Sequence, residues 1–225
     1  FYSAPSAVVS STQDSTPPSL ELLTPAIRHI SGTTVEIAGL ASDAGSGLAS
    51  VTVNGQPLLS IHGYAAWQQS LTGLQDGAHT FTITATDRAS PPNSTTVISR
   101  IHRIADPAGD HNGNGIADLL DHALGIPPAV SQGPAMLPHA FRRKSPVTGE
   151  ASLLLTYRRH IERSGLHYVV ETSENLTAWD ASGQDVVEES LTPNDDGLTE
   201  TVQVRVMPEL GLQRAKFVRV QVGVD

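Results

Sequence analysis

The chain contains no cysteine, so no disulfide framework and no thiolate metal site can be built from it. Aromatic residues are only 4% of the composition, which leaves few rings for a stacking platform. Charged residues are 16%, and Lys and Arg (14) are outnumbered by Asp and Glu (23). A formal net charge of -9 argues against nucleic acid and anionic membrane as partners, because neutralising phosphates takes a basic face. No run of eighteen apolar residues occurs, so no membrane span is expected. The chain opens on Phe1, and is expected to be either a processed mature protein or a fragment of a larger one.

Thr, Ser, Val and Gly are abundant, a composition that favours short strands joined by turns. The expected fold class is mainly β, with two β-sandwich domains joined by a calcium-binding loop and a short helix. Residues 1–17, rich in Ser, Thr and Pro, form an extended tail or a donor strand. Residues 18–104 alternate with period two. Val35 and Ile37 share a face, as do Ala49, Val51 and Val53, and then Phe81, Ile83 and Ala85 opposite four threonines. Asn54-Gly55 and Asp76-Gly77 are hairpin signals, and Pro91-Pro92-Asn93 breaks pairing before the last strand. Residues 139–225 alternate again through Leu153, Leu155 and Tyr157, then Tyr168 and Val170, Val202 to Val206 and Val218 to Val222, giving five or six strands.

The stretch with readable chemistry is Asp106 to Gly125. Asp110, Asn112, Asn114, Gly115, Ile116, Asp118 and Asp121 fall at positions 1, 3, 5, 6, 7, 9 and 12 of a twelve-residue calcium loop. A hard cation takes six to eight oxygens, and alternate short side chains on a tight turn supply them from one side. The candidate ligands are therefore Asp110, Asn112, Asn114, the Ile116 carbonyl, Asp118 and Asp121, with Ca2+ as the ion. Ala117 to Leu124 then forms about two helical turns, stopped by Gly125 and Pro127. Residues 105–138 thus join loop, helix and a Pro-rich linker, and calcium would stiffen them into a strut between sandwiches. Asp43 and Asp87 read as turn caps, with a second ion as the alternative.

An aspartate closing the loop resembles the calcium loops of dockerins and of thrombospondin type 3 repeats more than those of calmodulin-type EF-hands, which close with glutamate. Ser42 to Gly55 (SDAGSGLASVTVNG) and Asp76 to Ser90 (DGAHTFTITATDRAS) resemble bacterial Ig-like domains attached to secreted glycosidases and adhesins, which implies a seven-strand sandwich. LHYVVETSENLTAWDAS with the closing AKFVRVQV resembles a C-terminal β-domain of large bacterial surface proteins.

Catalytic motifs are sparse. The nine histidines show no zinc-ligand spacing, no Gly-x-Ser-x-Gly elbow is present, and no Gly-rich phosphate loop leads into a helix. The expectation is a non-catalytic, calcium-stabilised structural protein, extracellular or on the bacterial cell surface. It would self-associate through residues 1–16 by adding a strand to a neighbouring copy, making a filament subunit. The alternative is a carbohydrate-binding or spacer module of a larger secreted enzyme or adhesin. Surface polysaccharide is then the ligand, with Trp67 and Trp179 as the only indoles to present, although core roles suit both better.

Overall fold

The computed structural model describes residues 13–59, 64–127, 136–145, 147, 149, 151–210 and 216–225. The fold is mainly β, as the composition leads one to expect, with one short helix among the described residues. Described strands are β1 (Ser19–Leu22), β2 (Ile27–Ile30), β3 (Thr34–Ser42), β4 (Leu48–Val53), β5 (Gln56–Pro57), β6 (Ala66–Thr72), β7 (Gly77–Asp87) and β8 (Ser94–Arg103). After helix α1 (Asp118–Ala123) come β9 (His139–Lys144), β10 (Ala151–His160), β11 (Leu166–Ser173), β12 (Val186–Pro193), β13 (Thr199–Leu210) and β14 (Phe217–Val224). They form four sheets, ordered β1-β3-β6, β2-β8-β7-β4-β5, β12-β13-β10-β9 and β11-β14.

The chain groups into two compact units that are not sequential. The first holds the residues up to Ala26, Thr34–Thr72 and Thr80–Arg100; the second holds Ile27–Thr33, Gly73–His79 and Ile101–Asp225. A boundary at residue 104 was expected. Instead β2 and the Gly73–His79 segment group with the C-terminal part, and so does the whole stretch 105–127 that was expected to be a linker. The reason lies in side chains: Leu119, Ala123, Leu124 and Ile126 are buried, and Leu119 packs with Ile104 and Leu166 in one apolar cluster. An amphipathic turn and a half carries enough apolar surface to join a core.

In the first unit, the alternation expected for the strands is found, except at Ala49, which was expected beside Val51 and Val53 but is exposed where the β4–β7 register shifts between Leu48 and Ser50. Val35, Ile37 and Ala41 of β3, Val51 and Val53 of β4, and Ile83 and Ala85 of β7 all point into the core. Trp67 of β6 is buried against β3, where it pairs in register with Gly39. A Cβ at Gly39 would sit 2.3 Å from the indole and 2.2 Å from the Glu21 carbonyl, so only glycine lets β1, β3 and β6 close on the ring. Asn54-Gly55 turns the chain with φ of 48° and 77°, the mirror-image turn that suits a two-residue hairpin between β4 and β5. Asp76-Gly77 behaves differently from expectation. It leads from β6 in one sheet to β7 in another, so it is a crossover and not a hairpin, and Asp76 Oδ1 accepts the Ala105 N–H at 2.7 Å. Tyr64 lies just before β6 with φ of 66°.

The second unit builds its main core between the β12-β13-β10-β9 sheet and the β11-β14 pair. Leu155, Tyr157, Val202 and Val204 pack against Tyr168, Val170, Val218 and Val220, with Val186 of β12 beside them. These are the faces that period-two reading assigns. It misses Leu154, which is fully buried on the opposite face of β10, because an interior strand covered on both sides loses its alternation. β9 is exposed along its whole length and carries Arg142, Arg143 and Lys144, charges that discourage edge-to-edge pairing.

Candidate metal centre

The loop between β8 and α1 is held by its own backbone before any ligand is considered. Asp118 N–H donates to the Gly109 carbonyl at 2.7 Å and Gly109 N–H to the Asp106 carbonyl at 3.0 Å, which close the ends of the loop. Gly115 takes φ of 84° at the sixth loop position, a left-handed turn that side-chain-bearing residues resist.

Three of the six candidate ligands, Asn112, Asn114 and Asp121, meet directly, and Asp110 joins them through the backbone of the loop. Asp110 accepts Asn114 N–H at 3.1 Å and Gly115 N–H at 2.9 Å, while Asn112 Oδ1 accepts Asn114 N–H at 3.0 Å. The side-chain amides of Asn112 and Asn114 both donate to Asp121 Oδ2, at 2.6 and 2.8 Å. Asp121 is 6% exposed, and its other oxygen, Oδ1, is buried with no hydrogen-bond partner. An unpartnered buried carboxylate oxygen is costly unless a cation completes it. Ile116 lies between, its N–H on Asn114 Oδ1 at 2.8 Å. Asp118 stands apart: its carboxylate accepts His111 N–H at 3.0 Å and meets His111 Nδ1. Burial opposes ionisation of Asp118, but the bonds from His111 outweigh it and hold the carboxyl below the usual range. His111 is in turn raised, first by that side-chain bond.

The donor set fits a hard cation. Carboxylate, amide and carbonyl oxygens are the ligands that Ca2+ selects. For Asn112 and Asn114 to offer oxygen, each amide rotates by half a turn, and the two amide protons now on Asp121 Oδ2 give way to the ion.

A second acidic group lies in the first unit. Single carboxylate oxygens of Asp14, Asp43 and Asp87 come within 4.8 Å of one another, the one such group of three His, Cys, Asp or Glu ligand atoms among the described residues. The turn-cap reading of Asp43 and Asp87 is matched by their bonds. Asp43 accepts Gly47 N–H at 2.6 Å, and Asp87 accepts Ala89 and Asn93 N–H at 3.1 and 2.8 Å together with the Asn93 amide at 2.7 Å. Asp14 caps Thr16 and Ser46 at 3.0 and 2.8 Å, anchoring the described end of the N-terminal tail on its own unit. Residues 1–12 of the expected donor strand lie outside the described residues.

The fold also gathers four histidines that local spacing did not connect. His29 of β2, His102 of β8, His122 of α1 and His160 of β10 belong to the second unit and lie ring beside ring, His122 stacked on His160 and the other pairs tilted, with centres 4.0 to 6.2 Å apart. His29 Nδ1 and His122 Nε2 are 2.8 Å apart, and His29 Nε2 lies 3.1 Å from the Glu162 carbonyl. Burial, then the neighbouring imidazoles, pushes His122 down to about 2. Burial likewise takes His29 to about 4, despite the Glu162 carbonyl. Trp67 is core, and Trp179 lies under the Arg219 guanidinium, 4.1 Å from the ring centre. Comparison with known protein families and with curated proteins gives no match for this chain.

Proposed function

We propose that the chain is a non-catalytic structural module of the bacterial cell surface or extracellular space, stabilised by one calcium ion held by Asp110, Asn112, Asn114, the Ile116 carbonyl and Asp121, with Asp118 bound directly or through water. The observation that carries this reading is the buried, unpartnered Oδ1 of Asp121, set in a loop whose Asn112 and Asn114 amides already turn toward that carboxylate. Calcium would be structural here because α1, which ends the loop, is part of the second unit's core through Leu119. Sites of this class outside cells bind with dissociation constants of about 10⁻⁴ to 10⁻³ M. Calorimetric titration tests it: one calcium per chain is expected, and its absence in the intact protein removes the proposal.

The structural role is favoured over carbohydrate binding because one indole is buried and a face of the other is covered by Arg219. Self-association through residues 1–16 belongs to the same reading, with the tail adding to a neighbour's sheet edge. Deleting residues 1–12 while keeping the Asp14 cap tests it, since a filament subunit then becomes monomeric in size-exclusion chromatography. Among the described residues no helix is long and apolar enough to cross a membrane.

A further inference from the structure

Strand β2 is hydrogen-bonded on both sides within the second unit. On one, the Ile30 carbonyl accepts the Ile104 N–H at 2.9 Å, at the end of β8. On the other, His29 N–H donates to the Ser164 carbonyl at 2.8 Å and Ser31 N–H to the Asp225 carbonyl at 2.6 Å. The loop 161–165 lies directly on the strand: a Cβ at Gly165, whose φ is 85°, would come 1.9 Å from the His29 carbonyl oxygen.

The His29 side chain closes the same junction, and it does so only as a neutral ring. Its Nε2 is 3.1 Å from the Glu162 carbonyl, which can only accept, so that nitrogen carries the proton. Nδ1 is then a lone pair and takes the His122 Nε2 proton at 2.8 Å. A second proton on His29 sets two N–H groups against each other across that distance or, where His122 carries its proton on Nδ1 instead, leaves a cation on a residue that is 3% exposed. Among the described residues nothing offsets that charge. His102, His122 and His160 face His29 from β8, α1 and β10, and all are imidazoles. The acids next to them are engaged: Asp76, which acts on His102, accepts the Ala105 N–H at 2.7 Å, and Asp196, which acts on His160, takes the Arg158 guanidinium at 2.5 Å. His79 and Arg158, acting on the same two rings, oppose a further positive charge.

We propose that β2 is an acid-opened latch: protonation of His29 releases the strand from the 161–165 loop and from Asp225, while its pairing with β8 holds. Opening lets the imidazolium reach water and uncovers Ile30, which is 6% exposed when the latch is closed. Burial brings His29 in the closed form down to about 4, against 6.5 for a solvated ring. The closed form therefore has its full stability above about pH 6.5 and loses it as pH falls toward 4.

The test is amide hydrogen exchange on the full chain, read residue by residue by NMR at pH 7 and pH 5, with EDTA present so that proton competition at the calcium loop plays no part. Corrected for the intrinsic rate, exchange of the His29 and Ser31 amides should speed up by at least about tenfold from pH 7 to pH 5, at rates insensitive to low concentrations of urea. The amides of Val202 and Val204, inside the β12-β13-β10 sheet, should stay more protected and respond to urea. His29→Gln can bond both the Glu162 carbonyl and His122 but does not titrate, so it should remove the acceleration. Exchange at His29 and Ser31 that matches the core valines in rate and urea response overturns the proposal, because release would then require unfolding. Acceleration that survives in His29→Gln overturns it too. Should that variant fail to fold, the wild-type profile decides: a corrected rate that is flat above pH 6.5 and rises below it supports the latch, and one that stays flat down to pH 5 overturns it.

Discussion

The Asn112 side-chain amide donates to Asp121 Oδ2 at 2.6 Å across nine residues of sequence, while Oδ1 of the same carboxylate is buried with no partner. That half-completed carboxylate turns the loop into a testable cation site. At a free calcium concentration of about one hundred times the dissociation constant, linkage stabilises the folded chain by about 2.7 kcal/mol. For a chain of this size that corresponds to a rise in Tm of roughly 5 to 10 °C. Differential scanning calorimetry with calcium and with EDTA measures it, and Asp121→Ala should abolish the difference.

Asp121→Asn is a more discriminating substitution. It keeps the volume and the buried position but removes the charge. Calcium affinity should fall by at least about tenfold, since one ligand loses its charge, while the melting temperature in EDTA stays within a few degrees of wild type. A large loss of stability in EDTA as well would show that Asp121 serves the fold and not an ion.

Acid should weaken the protein through His29. Its folded value is pushed down from 6.5 to about 4, so the unfolded chain binds more protons between those values. Stability is therefore complete above about pH 6.5 and is lost as pH falls toward 4. Between pH 7 and pH 5 the loss from His29 alone is on the order of 2 kcal/mol. The groups it faces are His102, His122 and His160, none of them a carboxylate that would offset the charge. Urea denaturation at a series of pH values checks this, and His29→Gln should flatten the curve over that range.

Gly39→Ala should cost about 1 to 3 kcal/mol or more, because its methyl group would overlap the Trp67 indole and the Glu21 carbonyl. Chemical denaturation reads the shift in midpoint. Tryptophan fluorescence should move to the red as Trp67 gains solvent. An unchanged midpoint would mean that β1, β3 and β6 tolerate a wider spacing.

Asp196 closes the β12–β13 turn, accepting Leu198 and Thr199 N–H at 2.9 and 2.8 Å and the Arg158 guanidinium at 2.5 Å. Burial would raise its carboxyl, but the Thr199, Leu198 and Arg158 contacts prevail and bring it down to about 2. Its contribution is therefore present above the ordinary carboxylate value and disappears as pH falls through about 2. Asp196→Ala should destabilise by about 1 to 3 kcal/mol at pH 7, measured by thermal melting.

Strand positions were legible in the sequence wherever one face of a strand is buried and the other is wet. Val35 with Ile37, Val51 with Val53, Ile83 with Ala85, and Val202 with Val204 are each a local period-two record of which side meets the core. The meeting of Asn112 and Asn114 with Asp121 was legible for a related reason, since a turn of twelve residues brings them together without help from distant chain. Leu154 escaped because a strand covered on both faces carries no alternation, and Asp76-Gly77 read as a hairpin because its turn chemistry does not say which sheet the next strand joins. The placement of α1 in a core, the meeting of Asp14 with Asp43 and Asp87, and the gathering of His29, His102, His122 and His160 were decided only by tertiary structure. Those contacts close loops of tens to more than a hundred residues. Their stability comes from the burial of whole sheets, so the identity of the residues at either end leaves no local trace.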